Sequence, residues 1–358
     1  MNKNIGKGIG NPTNKYRTGD VIWHKTTLGS PGVGWMSAGS STSRLTNIGL
    51  YKAFYNEYDL TPLTWVSRSI NQLAFIQEIA YGNGLWVAAG NQGQILTSTD
   101  TVAWVSRTSG FSTNEAWSLA YGNGFWVAGD NFGNIRASTD AITWVPRVST
   151  ILSNVYDIAY ANGIFVACGV GGVRTSTDTI TWVTREAFVS DTLQSVAYGN
   201  GVWVVAGNSA QLRTSTDAIT WTTRVPNITF SSVIYSVAYG NGLWVFTGNL
   251  GIVRSSTDAI TWVTRSLNAS TFLFDSVAFG DGIWAAVNSS GGLLRTSTDG
   301  ITWVTRPSFA SAEPYNIVFA NSLWVVSGNR SIKVANQYDF PVPNTVPAPP
   351  GYTTWFKT

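Results

Sequence analysis

The chain has 358 residues, of which 44% are hydrophobic, 13% aromatic and 11% charged, and its formal net charge is +3. This weak positive charge, with no run of Lys or Arg, argues against nucleic acid as a partner. The 36 glycines and 17 tryptophans favour short strands joined by tight turns over helices. No segment approaches the ~18 continuous apolar residues of a membrane span, and the first twenty residues or so lack the apolar stretch of a signal peptide. We therefore expect neither membrane insertion nor a signal peptide.

The chain has one histidine, His24, and one cysteine, Cys168. A structural zinc site needs four ligands, mostly Cys and His, so these two residues cannot form one. No EF-hand-like run of acidic residues is present to bind calcium. We expect no metal, no cofactor and no internal disulfide.

Residues 1–60 stand before any repeat, and their motifs resemble the collar domain of phage tail-fibre proteins. In that family a Gly-x-Ile-like strand leads to a Pro-x-Gly-Trp turn, a Gly-Ser segment, a Ser-Arg pair and a short helix. The matching positions are Gly19, Pro31, Gly34, Trp35, Gly39, Ser40, Ser43 and Arg44, with residues 45–55 as the helix. The family closes with elements that residues 340–343 and 353–357 match. The alternative is an unrelated small domain or arm packed on the central region.

Three motifs recur in a fixed order between residues 61 and 337. The first alternates in polarity around an Asn-Gly-like turn, the second is a strand running into Ser-Thr-Asp, and the third is a Thr-Trp-Val-x-Arg strand. The seven copies of the first motif occupy residues 79–90, 119–129, 158–169, 196–207, 237–248, 277–287 and 317–328. The six aspartates of the second motif are Asp100, Asp140, Asp178, Asp217, Asp258 and Asp299. The seven tryptophans of the third motif are Trp65, Trp104, Trp144, Trp182, Trp221, Trp262 and Trp303.

Each motif predicts a local structure. Asn-Gly pairs such as Asn83-Gly84 favour type I′ hairpin turns, because both residues tolerate positive φ. The short oxygens of Ser-Thr-Asp can accept bonds from nearby backbone N–H groups and hold a second hairpin. Each unit of roughly forty residues therefore contains four strands, and units of this length repeated around a ring are typical of propellers. The sequence predicts an all-β fold, a seven-bladed β-propeller of four-stranded blades over residues 61–337.

The ends of the repeat region predict that the ring closes. A Trp strand at residues 63–68 precedes the first copy of the first motif, whereas the last copy has only one further strand, near residues 331–335. The first strand can therefore complete the last blade and remove two open sheet edges. On this interpretation residues 1–60 and 338–358 form one collar-like domain, into which the propeller is inserted.

The Ser-Thr-Asp turn resembles the Asp-box, or BNR-type, repeat of sialidases, sortilin-like receptors and photosystem assembly factors. That repeat reads Ser-x-Asp-x-Gly-x-Thr-Trp. Here the segment from Asp299 to Trp303 is one residue shorter, and the other five copies lack the glycine. The resemblance implies structural turn aspartates and wedge-like tryptophans, and it carries no functional assignment.

Enzymatic activity has little support in the sequence. A sialidase would need an arginine cluster, a nucleophilic tyrosine and a general acid, and its propeller has six blades. Glu78 and Asp157 occupy similar positions in their repeats, so a pair of carboxylates remains an alternative. Twelve arginines occupy two repeated positions, which favours a structural role in every blade over a ring of charge for an anionic polymer. We expect no enzymatic activity, with a sialidase-like glycan hydrolase as the less favoured alternative.

The links from each Trp strand to the next blade vary in length and sequence, whereas the strands are nearly constant. Links of this kind lie on one face of a propeller and supply its binding residues. Aromatic, Asn and Ser side chains suit sugars, through stacking and hydrogen bonds. The candidate ligand-binding residues are Phe111, Trp117, Phe188, Phe230, Phe272 and Phe309. For each of them, packing between blades is the alternative.

Together these features predict a non-enzymatic virion protein of a phage tail or tail fibre. Its partners would be other tail proteins and a host-surface glycan bound by the link face. By analogy with tail fibres we expect a homo-oligomer, for which the analogy suggests a trimer. The alternative is a purely structural virion component, such as a decoration or baseplate element.

Overall fold

The computed structural model describes residues 21–25, 35–37, 65–68, 70, 75–147, 153–186, 192–265, 273–309, 313–336 and 352–357. Within these ranges every regular element is a β-strand except one 3₁₀ turn, Asn91–Gly93. No helix in the described ranges is long and apolar enough to cross a membrane. The chain divides into two compact units, Met1–Leu63 with Asn336–Thr358, and Thr64–Ala335.

The first unit contains a three-stranded sheet built from both ends of the chain. Strand β31 (Tyr352–Lys357) lies between β1 (Val21–Lys25) and β2 (Trp35–Ser37), and both pairings are antiparallel. The two terminal segments therefore share one sheet. The helix predicted at residues 45–55 and the element predicted at 340–343 lie outside the described residues, and the collar resemblance stays a prediction.

The second unit is a ring of seven four-stranded antiparallel sheets, here called blades 1 to 7. Blade 1 contains β4 (Ile76–Gly82), β5 (Leu85–Gly90), β6 (Gln94–Ser98) and β7 (Val105–Thr108). Blade 2 contains β8 (Ala116–Gly122), β9 (Phe125–Asp130), β10 (Ile135–Ser138) and β11 (Val145–Arg147). Blade 3 contains β12 (Val155–Ala161), β13 (Ile164–Gly169), β14 (Gly172–Ser176) and β15 (Val183–Glu186). Blade 4 contains β16 (Leu193–Gly199), β17 (Val202–Gly207), β18 (Leu212–Ser215) and β19 (Thr222–Thr223).

The remaining three blades follow the same plan. Blade 5 contains β20 (Ile234–Gly240), β21 (Leu243–Gly248), β22 (Val253–Ser256) and β23 (Val263–Arg265). Blade 6 contains β24 (Ser276–Gly280), β25 (Ile283–Asn288), β26 (Leu293–Ser297) and β27 (Val304–Arg306). Blade 7 contains β28 (Pro314–Ala320), β29 (Leu323–Gly328), β30 (Ser331–Asn336) and β3 (Val66–Arg68).

The first strand of each blade contacts the first strand of the next, from β4 and β8 around to β28 and β4. These strands therefore surround the central channel, and the fourth strands lie outermost. Because every blade is antiparallel, the links between blades and the turns between second and third strands share one face, called the link face. The Asn-Gly turns and the Asp turns lie on the opposite face, called the turn face.

Strand β3 closes the ring. It pairs antiparallel with β30, with Val66 opposite Val334 and Arg68 opposite Ile332. The Lys333 ammonium also donates a hydrogen bond to the Ser67 hydroxyl at 3.0 Å. This pairing confirms the predicted seven-bladed closed propeller, and it leaves the third strand of blade 7 without an open edge.

The hydrophobic core lies between neighbouring blades. The second strands of six blades each bury a tryptophan almost completely, namely Trp86, Trp126, Trp203, Trp244, Trp284 and Trp324, and blade 3 has Phe165 at this position. One core cluster joins Val87 and Ile95 of blade 1 to Leu119 and Trp126 of blade 2. Truncating a buried tryptophan of this kind to Ala typically costs about 3–5 kcal/mol.

The six repeated aspartates each accept hydrogen bonds that hold a turn. The Asp217 carboxylate accepts hydrogen bonds from the Ile219 and Thr220 N–H groups at 2.8 Å and from the Ser215 hydroxyl at 2.9 Å. The same three bonds occur at Asp100, Asp140, Asp178, Asp258 and Asp299. Backbone bonds are the main cause that lowers the pKa of Asp217 to about 2.

Five of the arginines at the ends of the outer strands also have structural partners. The guanidinium Nε of Arg107 donates to the Thr97 hydroxyl at 2.9 Å, and that of Arg265 donates to the Ser255 hydroxyl at 2.7 Å. Arg185, Arg224 and Arg306 make the same bond at 2.6–2.8 Å. These five guanidinium groups therefore bond to hydroxyls of the neighbouring strand, in line with a structural role in the blades.

Candidate functional site

The link-face end of the central channel forms a cavity of about 300 Å³ to which all seven blades contribute. We call this cavity the channel mouth. Its lining residues are Gln77, Glu78, Glu115, Trp117, Tyr156, Asp157, Gln194, Ser195, Tyr235, Ser236, Asp275, Ser276, Tyr315 and Asn316. Nearly all of them come from the second and third positions of the repeated inner strand. The channel mouth is therefore built from the same strand positions in each blade, and the residue types at these positions vary around the ring.

A β-bulge directs the second-position side chains into the channel mouth. In blade 1, Ile76 pairs with Gly90 and Glu78 pairs with Ala89, so Gln77 is an extra residue between them. The same shift occurs in five more blades, at Trp117, Tyr156, Gln194, Tyr235 and Tyr315. Blade 6 has Asp275 at this position. A bulge bends its strand and re-aims a side chain, so the repeat projects one variable residue per blade toward the channel.

The third-position side chains link neighbouring blades. The Ser195 hydroxyl accepts a hydrogen bond from the Val237 N–H of the next blade at 3.2 Å. Ser236 and Ser276 accept equivalent bonds from Val277 and Ile317 at 3.1 and 3.2 Å. In blade 3 the Asp157 carboxylate makes the corresponding bond to the next blade, accepting from the Val196 N–H at 2.8 Å. A serine therefore satisfies this structural position, and the carboxylate of Asp157 is not required for it.

Glu78 and Asp157 face the channel with perturbed pKa values. Burial raises the pKa of Asp157 to about 6, against hydrogen bonds from Val196 and Ser195 that lower it. Burial also raises the pKa of Glu78 well above its ordinary value, and the negative charge of Asp157 adds to the effect. The Asn316 amide donates to the Glu78 carboxylate at 3.1 Å. Carboxylates that are buried at a cost and placed in a cavity are candidates for a functional site.

Aromatic rings line the rest of the mouth. Trp117 stacks on Tyr156 of the next blade, with ring centroids 4.9 Å apart and planes inclined by 19°. The Trp117 indole N–H donates to the Glu115 carboxylate at 2.9 Å. Tyr315 lies edge-on to Phe75 with centroids 6.0 Å apart. The channel mouth therefore combines flat apolar surfaces with carboxylate and amide groups.

The structure separates the six predicted ligand-binding residues into different environments. Trp117 lies in the channel mouth. Phe111 and Phe309 are only 2% and 5% exposed, and Phe309 packs edge-on against Trp65, so neither presents a free ring face. Phe230 is 77% exposed in the link before blade 5. Phe188 and Phe272 lie outside the described residues.

Sequence reasoning missed most of the channel mouth. It selected Phe and Trp residues of the links and did not select Tyr156, Tyr235, Tyr315 or Asp275, which occupy the same repeat position as Trp117. The signal that could have found them is the variation of one strand position whose neighbours are nearly constant. Among the described residues, no group of three or more His, Cys, Asp and Glu side chains is placed to hold a metal ion.

No protein-family model matches the chain. No curated protein matches it. Solved structures with a similar fold include virginiamycin B lyase from Staphylococcus aureus, with a TM-score of 0.69 and 13% identity over 76% of this chain and 98% of that one. YCF48 from Cyanidioschyzon merolae has a TM-score of 0.62 and 16% identity over 76% of this chain and 98% of its own. YCF48 bound to D1 peptide has a TM-score of 0.65 and 16% identity over 78% and 96%.

These identities are low, so the similarity concerns the propeller fold alone. The similar structures include a lyase and a protein bound to a peptide. The shared fold therefore does not decide whether this chain is an enzyme.

Proposed function

We propose that this chain is a non-enzymatic attachment protein of a phage tail or tail fibre that binds a host-surface glycan at the channel mouth. The observation that carries the proposal is the bulge repeated in six blades, which together with the equivalent position of blade 6 brings Gln, Trp, Tyr and Asp side chains into one cavity while the frame stays constant. A constant frame with variable residues at one mouth is the arrangement expected of a binding protein.

The chemistry of the mouth suits a sugar. The faces of Trp117 and Tyr156 offer flat apolar surface for the carbon face of a sugar ring. The Gln77 and Gln194 amides and the nearby carboxylates offer acceptors and donors for hydroxyl groups. The cavity of about 300 Å³ is at the lower end of the range of small-ligand sites. Phe230, exposed on the same face, remains a candidate for a second contact.

The assignment to a phage tail rests on the sequence resemblance of the terminal segments. The antiparallel pairing of β1 and β2 with β31 supports a domain shared by both ends of the chain. On this proposal the terminal domain attaches the protein to other tail proteins and forms the homo-oligomer. A location of the link face against other virion proteins would favour the purely structural alternative.

A second candidate function is glycoside hydrolysis, which is favoured by the two channel carboxylates. A general acid needs a raised pKa, and both Glu78 and Asp157 have one. Serines at the same position in other blades make the hydrogen bond to the next blade, so the contacts between blades do not require these acids.

A glycan array with the full chain tests the proposal, using Trp117→Ala as the site variant and Ile180→Ala as the control. Ile180 is 57% exposed on the turn face, away from the channel mouth. We expect glycans bound by the wild type and the control to be lost by Trp117→Ala. Equal binding by Trp117→Ala would show that the mouth is not the site, and a blank array would contradict glycan binding.

A reducing-end assay on the bound glycans separates the two candidates. Attachment without catalysis predicts no release of reducing sugar. Release that is abolished by Glu78→Gln or Asp157→Asn would establish the hydrolase instead.

A further inference from the structure

The channel mouth is lined by acidic groups without basic ones. Four lining residues carry carboxylates, namely Glu78, Glu115, Asp157 and Asp275, and none of the described lining residues is Lys, Arg or His. The hydrogen bonds to these carboxylates come from neutral donors. Glu115 accepts from the Trp117 indole, and Asp275 accepts from the Ser289 N–H at 2.6 Å. The negative charge of the mouth therefore has no opposite charge within its lining.

Two of the carboxylates share the channel mouth with pairs of aromatic rings. Glu115 is hydrogen-bonded to Trp117, which stacks on Tyr156. Asp275, just before β24, occupies the position in blade 6 that corresponds to Tyr235 of blade 5 and Tyr315 of blade 7, and all three line the channel mouth. Burial, and after it the charge of Asp275, raises the pKa of Tyr235. Burial and the neighbouring Glu313, to which the Tyr315 hydroxyl donates at 3.4 Å, raise the pKa of Tyr315 more than Asp275 does.

A carboxylate beside aromatic faces is a favourable environment for an organic cation. The ring faces attract a cation within about 6 Å of the centroid, and the carboxylate adds a direct charge–charge attraction. The same carboxylates would repel an anionic ligand, which argues against sialic and uronic acids as ligands. A sugar that offers only neutral hydroxyl groups would leave the negative charges of the carboxylates uncompensated.

We propose that each group of one carboxylate and two aromatic rings holds a protonated amino group of the bound glycan, so that the channel mouth selects amino sugars with free amines. The first group consists of Glu115, Trp117 and Tyr156, and the second of Asp275, Tyr235 and Tyr315. This inference rests on the proposed glycan-binding function and names the class of sugar that it takes.

Calorimetric titration of the full chain with three oligosaccharides tests the selection. The probes are a glucosamine tetramer, its N-acetylated counterpart and a galacturonate tetramer, used near about pH 6.5, where amines with pKa values above about 7 are protonated. We expect the glucosamine tetramer to bind at least about tenfold more tightly than the N-acetylated tetramer, as one charge-assisted contact would give, and the galacturonate tetramer not to bind.

Two conservative variants locate the effect. Asp275→Asn and Glu115→Gln each keep an oxygen acceptor, so the Ser289 N–H and the Trp117 indole retain partners. Each variant is expected to weaken binding of the glucosamine tetramer by about tenfold to a hundredfold and to leave the N-acetylated tetramer nearly unchanged. Ile180→Ala is the matched control, and unchanged melting temperatures show that the variants are folded.

The outcomes separate this inference from the glycan proposal. Equal binding of the amino and N-acetylated tetramers would overturn the selection for amines and support glycan binding in general. Binding of none of the probes, beside a positive glycan array, would also overturn the selection alone. Tighter binding of tetralysine than of the glucosamine tetramer would assign the two groups to a cationic peptide and overturn the inference.

Discussion

Replacing Asp157 with Asn should make the propeller more stable at neutral pH. The carboxylate sits in the channel at a position where three other blades use serine for the same bond between blades. The folded protein raises the pKa of Asp157 to about 6 from an ordinary value of 3.8, mainly through burial. An asparagine keeps an oxygen to accept the Val196 N–H bond of 2.8 Å and carries no charge to bury.

The magnitude and sign follow from linkage. Because the folded state binds this proton more tightly than the unfolded state, the free energy of unfolding falls as pH rises from about 4 to about 6. The pKa difference of about two units corresponds to at most about 3 kcal/mol. Solvent in the channel reduces this, so we expect a gain of about 1–3 kcal/mol for Asp157→Asn above pH ~6, and none below pH ~4. For a unit of this size the gain corresponds to a rise in melting temperature of about 2–6 °C.

Thermal melting followed by circular dichroism, at about pH 7.5 and about pH 3.5 to bracket the titration, measures the effect. Asp217→Asn is the control, for which we expect a change in stability of the opposite sign, because the turn bonds lower the pKa of Asp217 to about 2. That variant should lose stability at neutral pH. If Asp157→Asn melted below the wild type at both pH values, the carboxylate would be a net stabilising group, and the inference that it is retained for function would be wrong.

Three further predictions concern the ring, the Asp turns and the ligand. Deleting residues 65–68 should expose the edge of β30 and cause aggregation, measured by light scattering against the intact chain; a soluble monomer would contradict the closure role of β3. Asp258→Ala should lower the free energy of unfolding by about 1–2 kcal/mol at neutral pH in urea titrations. Because turn bonds lower the pKa of Asp258 to about 2, this difference should shrink as pH falls toward that value, and a difference independent of pH would refute the charge-assisted turn. Burial raises the pKa of Asp275, so binding of the glucosamine tetramer should weaken as pH falls and this carboxylate is protonated, and binding that strengthens would refute a role for its charge. The other titratable groups at or beside the mouth are Glu78, Glu115, Asp157, Tyr156, Tyr235, Tyr315, Glu313 and Cys168.

Local turn chemistry explains why the blades could be predicted from the sequence. Asn83 and Gly84 have φ values of 49° and 75°, as a type I′ turn requires. The Asp turns also formed in the five copies that lack a glycine after the aspartate. Ala218, which follows Asp217, has a φ of 60°, so the hydrogen bonds of Asp217 hold a non-glycine residue in the left-handed region.

The candidate site was only partly predictable, because burial of a side chain depends on neighbouring blades. Phe111 and Phe309 occur in variable links, and the sequence pattern does not distinguish a link residue that packs inward from one that faces solvent. The structure buries both of them and leaves Phe230 exposed. Trp117 was selected for its place in a link, although it belongs to strand β8 and reaches the mouth through a bulge.

The sequence by itself determined the blade, the number of blades and the closure of the ring, because turn residues, alternation and the unmatched first strand are all local or countable features. Only the tertiary structure decided where the candidate site lies. The bulges shift the inner strands by one residue, and ring closure brings side chains that are far apart in the sequence, such as Glu78 and Asn316, within 3.1 Å. Convergence of seven strands on one axis is a property of the closed ring, and no single repeat contains it.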